Sequence, residues 1–442
     1  MKSFSGSSEK PDFNFSPAAA SSQAATPRLF SRRLLSAFVL LLVLRVLAAD
    51  GYRGAIAPGG LFSVDYGTIY AAAKRLDTGS LYLREEKLSC QFTCSPLIPM
   101  LVHPLTKYPL DQSTRLWALV SVSTLVGACL LFCWGRGAHI LDDVVPVVLI
   151  LATAFRFWPT VIEFAIGNTH IILLALVGGM YVCDRHRKWM LFAALAAVAS
   201  LVVTWMIGVL FYLMVRREWR AVFAGIAFFA GGLLVLFAML GWDQWMAFVQ
   251  VTRDYSSQSF LLAQSVAGMA RMYFSVNLQI SPFMDSRFGW WAVMLLGYGG
   301  LISGLLYLYL RGPRMNTFQL RMTLGLVVAA LILGCPVSHL YYYVLVLPLL
   351  WTLLIEVQGC AQGLRIGAFA VYLALSYPSP GMDPVPEKFR NGVRSLAVST
   401  TFLASMAAWG MGLFAALSGG ALNANALQTT RPRDLETDPV IP

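Results

Sequence analysis

The stretch from Asp184 to Arg220 reads "DRHRKWMLFAALAAVASLVVTWMIGVLFYLMVRREWR", one apolar run between two basic clusters. A full membrane crossing takes ~20 residues. The run is longer than one crossing needs, yet both flanks carry the positive charges that favour the cytoplasmic side. This pattern predicts two short helices that meet near Val203 and Thr204 in a hairpin. Such a hairpin would bring Thr204 and Trp205 near the outer face.

The composition of the chain also indicates a membrane protein. Of its 442 residues, 57% are hydrophobic and 12% are charged, whereas soluble domains carry about 25% charged residues. A spanning chain must satisfy its backbone hydrogen bonds internally, and the apolar runs show no alternation of period two. The sequence therefore predicts an all-α polytopic membrane protein and not a barrel.

The net charge of +11 does not require a nucleic-acid partner. The basic residues occur in short clusters between apolar runs, such as "RREWR" at 216–220 and "RGPR" at 311–314. This distribution follows the rule that positive loops stay in the cytoplasm. We therefore expect the bilayer as a partner and no nucleic acid.

The positions of the apolar runs predict the organisation of the chain. We expect a bundle of about 10–12 transmembrane helical segments, with short interfacial helices in the extracytoplasmic loops. We expect a disordered cytoplasmic N-terminal tail at 1–30, a membrane domain at 31–416 and a cytoplasmic C-terminal tail at 417–442. Within the membrane domain, the first and second large outer loops are expected at 51–112 and 241–288.

The first outer loop contains a short tyrosine-rich stretch, "FSVDYGTIYAAAKRLDTGSLY" at 62–82. Tyr66, Tyr70 and other apolar residues recur at a spacing of three to four, which predicts one apolar helix face in the interfacial plane. Asp65 occupies the N-cap position of this helix. Capping alone would explain the aspartate, and a catalytic role is the alternative.

The second outer loop contains "FLLAQSVAGMARMYF" at 260–274. Its polar residues are Gln264, Ser265 and Arg271. An arginine near the interface suits a lipid phosphate, which it can bind through paired N–H donors. Snorkelling of Arg271 to the headgroups is the alternative.

Polar residues also lie at the start of a later span, "EFAIGNTHIILLAL" at 163–176. Placing polar side chains in or beside a membrane span costs free energy. The presence there of Glu163, Asn168 and His170 therefore suggests a function. Capping of the following helix by Asn168 is the alternative.

A histidine stands at the outer end of another span, "CPVSHLYYYVLVLPLL" at 335–350. His339 is followed there by three tyrosines, including Tyr342. An aromatic belt at the membrane interface would explain this pattern as well as a site would.

The order of these motifs resembles glycosyltransferase family 87, membrane enzymes of the GT-C fold that use polyprenyl-phosphate sugars. The resemblance covers about 60–356, roughly two-thirds of the chain. The matching stretches are "DYGTIYAAAKRLDTGSLY", "SPLIPMLVHPLTKYPLDQSTRLWALVS", "GNTHIILLALVGGMYV", "LLAQSVAGMARMY" and "CPVSHLYYYVLVLPLL".

The resemblance implies an inverting glycosyltransferase with Asp65 as the general base on the acceptor hydroxyl. We expect Arg271 to bind the donor phosphate. The other expected donor contacts are Gln264, Ser265 and His339, and the expected acceptor or pocket residues are Tyr66, Tyr70, Asn168, His170 and Tyr342.

The resemblance also sets expectations for the substrates and the location. Mannose is the expected donor sugar and arabinofuranose is the alternative, with a lipid-linked or glycan acceptor. We expect a monomer without a cofactor. We also expect no metal, because a metal ion is usually required by a nucleotide diphosphate and not by a lipid-linked monophosphate. The expected location is the cytoplasmic (inner) membrane of a bacterium, multi-pass, with the active site outside the cytoplasm.

The chain departs from the family pattern at three points. The family usually has a lysine within the span at 189–215, whereas this chain has apolar Val202 near that position. After "HLY" the family often has an acidic residue, and this chain has Tyr342. The usual Gly-Gln pair is replaced by Gly167-Asn168. The missing lysine removes one expected phosphate partner and leaves the donor sugar open.

A transporter or lipid flippase and a non-catalytic scaffold are the alternatives from other classes. A transporter would place ionisable residues at the mid-plane of several spans.

Overall fold

The computed structural model describes residues 26–56, 65–82, 92, 94–138, 141–257, 264–275, 281–356, 362–378 and 392–429. The outer parts of both predicted tails, 1–25 and 430–442, lie outside the described residues. The first described helix begins at Thr26 and the last one ends at Thr429.

The described part of the chain is helical and contains no strand, which confirms the predicted all-α class. The α-helices are α1 Thr26–Ile56, α2 Asp65–Lys74, α3 Leu97–Val102, α4 Leu110–Arg136, α5 Val144–Arg156, α6 Trp158–Ile166, α7 His170–Arg185, α8 Trp189–Val202, α9 Leu210–Val215, α10 Trp219–Ser257, α11 Val266–Phe274, α12 Arg287–Arg311, α13 Thr317–Gly334, α14 Leu347–Trp351, α15 Gln362–Ser376 and α16 Thr400–Thr429. Short 3₁₀ segments join several of them, including Thr204–Val209 and Leu340–Val346.

The predicted hairpin between the two basic clusters is confirmed. Helix α8 ends at Val202, and Val203 is extended (φ −139°, ψ 108°) before the chain turns into the next helical segment. The two ends of the hairpin meet, since Arg216 lies 3.1 Å from the Asp184 carboxylate. At the other end, the Trp205 ring lies 6.2 Å from that of Tyr342.

Six helices in the described residues are long and apolar enough to cross a membrane, which supports a polytopic membrane protein. These are α1, α4, α10, α12, α13 and α16, and the pair α5–α6, bent by 57°, would make a seventh. The expected number of about 10–12 segments included shorter apolar helices such as α8. Extended or left-handed residues at Phe157, Gly167, Val203 and His339 divide these segments, so their pieces are shorter than one crossing.

Burial separates the lipid-facing helices from the core. Helices α1, α10 and α12 expose large apolar side chains, for example Phe38, Leu234 and Leu296. Apolar surface of this extent suits lipid rather than water. Helix α13 is buried over most of its length and forms the centre of the bundle.

Helix α7 connects two chemically different ends of the bundle. Its 16 residues span about 24 Å at the usual helical rise. At its C-terminal end the clusters 184–188, 216–220 and 311–314 come together, and we call this end the basic face. There Arg185 donates to the Trp134 carbonyl at 2.7 Å and Arg217 to the Tyr309 carbonyl at 3.3 Å. We call the other end, where α7 begins at His170, the site face.

The two large loops differ from the expectation in their details. The predicted helix of the first loop exists as α2, but Tyr66 and Tyr70 are buried against protein instead of lying along a lipid surface. In the second loop, α10 continues to Ser257 after a break at Gly241 (φ 77°). The second outer loop is expected to begin here, but the helix bends at Gly241 and continues. Glycine permits this kink because it lacks a Cβ.

Candidate active site

Asp65 is held at the start of α2 by a side chain from a distant part of the sequence. The Asn168 amide nitrogen donates to Asp65 Oδ2 at 2.7 Å. The Asn168 amide oxygen accepts from the backbone N–H and the hydroxyl of Thr169, at 2.7 and 3.2 Å. These two donors fix the orientation of the amide, so its nitrogen must face the carboxylate. Asp65 and Asn168 therefore form one unit, and the Asn168 side chain does not act as the cap of α7, whose N-cap residue is Thr169.

The turn between α6 and α7 places Asn168. Helix α6 ends at Gly167, whose φ of 71° lies in the left-handed region that favours glycine. The Gly167 N–H donates to the Glu163 carbonyl at 3.0 Å, and the Trp117 indole donates to the Gly167 carbonyl at 2.9 Å. The turn is thus fixed from both sides.

Glu163 supports the same turn through its side chain. Its Oε1 accepts the backbone N–H of His170, the first residue of α7, at 2.5 Å. Its Oε2 lies 3.5 Å from His170 Nδ1, and both side chains are almost fully buried. A carboxylate at a helix N-terminus is stabilised by the unsatisfied N–H groups there. Sequence reasoning noted Glu163 but assigned it no role; a glutamate inside an apolar run was the available signal.

Burial sets the protonation of Asp65. Loss of water raises the pKa of its carboxyl to about 6, the Asn168 hydrogen bond acts in the opposite direction, and the negative charge of Glu163 raises it further. Asp65 remains partly accessible to solvent. A carboxylate that titrates near 6 is ionised at neutral pH and is well matched to accept a proton.

An aromatic and imidazole layer lies next to this pair. The His170 ring stacks on Tyr342 with centroids 4.1 Å apart, and the His339 ring stacks on Tyr341 at 5.4 Å. Burial, with a smaller effect of His170, lowers the pKa of His339 to about 4, so this imidazole is neutral at pH 7. Sequence positions more than 160 residues apart thus meet at the site face.

The site has an accessible layer and a buried layer. Asp65, His339 and Tyr342 are partly exposed. Asn168 and His170 are buried behind them. The accessible groups can meet a substrate, and the buried groups can hold them in place.

The tyrosines of helix α2 contact α4 and the residues just before it. The Tyr66 ring stacks on Trp117 at 5.5 Å and its hydroxyl bonds Ser113 Oγ at 2.5 Å. The Tyr70 hydroxyl donates to the Tyr108 carbonyl at 2.7 Å. Both predicted pocket residues therefore position α2, and with it Asp65.

Comparison with known proteins shows the family of the chain. The model of glycosyltransferase family 87 matches residues 92–336, more than half of the chain. The protein belongs to glycosyltransferase family 87. A relative from Corynebacterium glutamicum, alpha-(1->3)-arabinofuranosyltransferase, is 24% identical over 358 residues, which cover 77% of this chain and 79% of the relative.

Membership in family 87 makes this protein a membrane glycosyltransferase and favours the enzyme over the transporter and scaffold alternatives. The matched range contains Asn168, His170 and Arg271, begins after Asp65 and ends before His339. The assignment of roles to Asp65 and His339 therefore depends on the geometry.

In the structure, the side chains of Gln264 and Ser265 make contacts within the protein. Gln264 Nε2 donates to the Val398 carbonyl at 2.9 Å, and its Oε1 accepts from the Phe402 N–H at 3.3 Å. Ser265 is fully buried and its hydroxyl caps α11. Their predicted donor contacts stay a prediction, and of the two side chains that of Gln264 bonds the C-terminal part of the bundle.

Arg271 of the transferase is half-buried on α11, which packs on α12 beside Tyr298. The segment is linked to the site by the Gln264 N–H, which donates to the Ser338 carbonyl at 2.6 Å, next to His339. Asp65 and Asn168 are bonded directly. The Tyr342 ring lies against both imidazoles, 4.1 Å from that of His170 and 5.7 Å from that of His339. The role of Arg271 at the donor phosphate stays a prediction.

Among the described residues, no group of three histidine, cysteine or acidic side chains has the geometry to hold a metal. The expectations of a metal-free, cofactor-free and monomeric enzyme stay predictions.

Proposed function

We propose that this family 87 enzyme transfers a sugar from a polyprenyl-phosphate donor to a hydroxyl of a lipid-linked or glycan acceptor, with inversion, and that Asp65 is the general base. The observation that carries the proposal is a partly buried carboxylate oriented by Asn168, with a pKa of about 6 and an accessible edge. Such a base commonly contributes about 10²–10⁴ in rate.

In the proposed step, the acceptor oxygen attacks the anomeric carbon of the donor from the face opposite the phosphate. The acceptor O–H proton passes to Asp65 Oδ1, the oxygen that Asn168 leaves open. The bond between the anomeric carbon and the phosphate oxygen breaks, and polyprenyl phosphate leaves with the electron pair. This leaving group needs no protonation, so one base and a contact for the phosphate are sufficient.

The remaining site residues fit supporting roles in this step. Neutral His339 can donate a hydrogen bond to the sugar or the phosphate from the accessible layer. Tyr342, which is partly exposed beside His339, can contact the sugar. Asn168 and the Glu163–His170 pair act from the buried layer, through Asp65 and through the start of α7.

The side of the membrane and the donor sugar are part of the proposal. Because basic loops stay in the cytoplasm, the site face lies outside it in a bacterial inner membrane. We propose mannose as the donor sugar. The name of the Corynebacterium glutamicum relative makes arabinofuranose the second candidate.

The test is incubation of the purified protein with labelled polyprenyl-phosphate mannose, arabinofuranose and glucose and a membrane glycolipid extract. We expect transfer from one donor and a product with inverted anomeric configuration by NMR. Retention of configuration would contradict the role of Asp65 as base. Absence of transfer and hydrolysis with every donor would contradict the proposed donor class.

A further inference from the structure

The basic face contains a groove that the proposed reaction does not use. The groove has a volume of about 500 Å³. Arg187, Lys188 and Arg220 line it together with a single acid, Glu218, and with apolar residues such as Met190 and Leu191. It lies at the far end of α7 and α8, about 24 Å from the site face.

The turns that shape this groove place arginine where glycine is usual. Helices α7 and α9 are each followed by an arginine in the left-handed region, Arg187 (φ 54°) and Arg217 (φ 62°). Backbone bonds from Lys188 to Cys183 (2.8 Å) and from Glu218 to Leu213 (2.9 Å) close both turns in the Schellman pattern. A left-handed conformation costs roughly 1–2 kcal/mol for a residue with a Cβ. The arginine side chains must therefore contribute something that glycine would not.

The neighbouring arginines are engaged within the protein. Arg216 pairs with Asp184 and lies over the Trp189 ring at 4.7 Å. Arg217 lies over the Tyr309 ring at 3.9 Å. Arg185 bonds a backbone carbonyl.

The three cations of the groove differ from these neighbours. Arg187, Lys188 and Arg220 are exposed. Within the part of the chain that the structure describes, none of them has an ion pair or a side-chain hydrogen bond. Together with Glu218 they leave an excess of two positive charges facing one groove.

The apolar side of the groove points to the kind of anion that fits. Met190 and Leu191 are each more than half exposed at the start of α8. A soluble anion would gain nothing from this surface, whereas the acyl chains of a lipid would cover it. We propose that this groove binds an anionic glycerophospholipid, with its phosphate between the three cations and its chains along Met190 and Leu191.

The test uses the full chain in detergent, titrated with phosphatidylglycerol or phosphatidylcholine and measured by native mass spectrometry. The variant Arg187→Gly/Arg220→Gln removes two cations, and glycine keeps the left-handed turn. The matched control Arg314→Gln/Arg365→Gln removes two exposed cations outside the groove.

We expect the wild-type protein to retain phosphatidylglycerol in preference to phosphatidylcholine. The groove variant should lose roughly twenty-fivefold in affinity for phosphatidylglycerol, about fivefold per cation, and the control less than about twofold. An equal loss in both variants, or no loss in either, would overturn the site. Full displacement of the lipid by millimolar inorganic phosphate would show that the groove binds phosphate alone and would overturn the lipid assignment.

Discussion

The two ends of α7 use acidic residues in opposite ways. At the basic face each buried carboxylate is neutralised: Asp184 by Arg216, and Glu356 by Arg136 and Arg321 at 3.0 and 2.7 Å. At the site face, the described partner of the Asp65 carboxylate is a neutral amide, and its pKa is raised to about 6. Removal of one partner of a buried ion pair is strongly destabilising, whereas a carboxylate whose partner is a neutral amide can take up a proton near neutral pH.

The largest expected effect lies at the basic face. Glu356→Gln leaves Arg136 and Arg321 without their shared counterion, which should lower the free energy of unfolding by about 3–5 kcal/mol. A large fall in the midpoint of thermal unfolding in detergent would show it. Asp243→Asn, at an exposed acid on α10, should change stability by less than about 0.5 kcal/mol. A Glu356 variant as stable as this control would mean that the cluster does not hold the bundle.

At the site face, the corresponding change should affect catalysis more than stability. Asn168→Ala removes the donor that orients Asp65, and a hydrogen bond to a charged group is worth about 1.5–3 kcal/mol. We expect kcat to fall roughly tenfold to hundredfold. The acid limb of the pH profile should move upward, because the Asn168 bond lowers the Asp65 pKa.

Asn168→Gln keeps an amide on a side chain that is longer by one methylene. It should retain more activity than Asn168→Ala. Equal losses in both variants would indicate that the amide group itself is not what Asp65 requires.

Substitution by alanine should lower stability more at the glycine of the site turn than at a glycine inside a helix. Gly167→Ala forces a Cβ into a left-handed residue (φ 71°) and should cost roughly 1–2 kcal/mol of stability. Gly410→Ala in α16, where a Cβ would meet nothing within 4 Å, should be neutral or stabilise by up to about 1 kcal/mol. Thermal unfolding of the two variants would compare them. Equal shifts would contradict the strained turn.

The smallest expected effect is a shift in pH dependence. The value of kcat/KM should rise with pH through about 6 and level off, because Asp65 must be ionised to act as a base. Glu163→Gln removes a negative charge that raises the Asp65 pKa, so the rise should occur at lower pH. The glutamine can still accept the His170 N–H, which keeps the turn intact. A profile unchanged in this variant would remove Glu163 from the electrostatics of the site.

Charge and apolar pattern were sufficient to predict the helix class, the break near Val203 and the two faces. These features depend on the environment of a whole segment, which composition encodes. The pairing of Asp65 with Asn168 could not be predicted in this way, because it depends on which distant turn packs against α2. For the same reason the polar pattern around Gln264 suggested a ligand contact, although its amide binds the backbone near Val398 and Phe402. The cap that Glu163 forms on α7 joins residues seven positions apart and follows no standard capping spacing.

The most direct test of the account is the turnover of purified, folded Asp65→Asn protein beside Asp77→Asn. Asp77 is an acid close to the same helix whose side chain is 81% exposed. We predict that Asp65→Asn loses about 10²–10⁴ in kcat and that Asp77→Asn stays near the wild-type rate. Near-normal turnover of Asp65→Asn would contradict the claim that this partly buried carboxylate removes the acceptor proton.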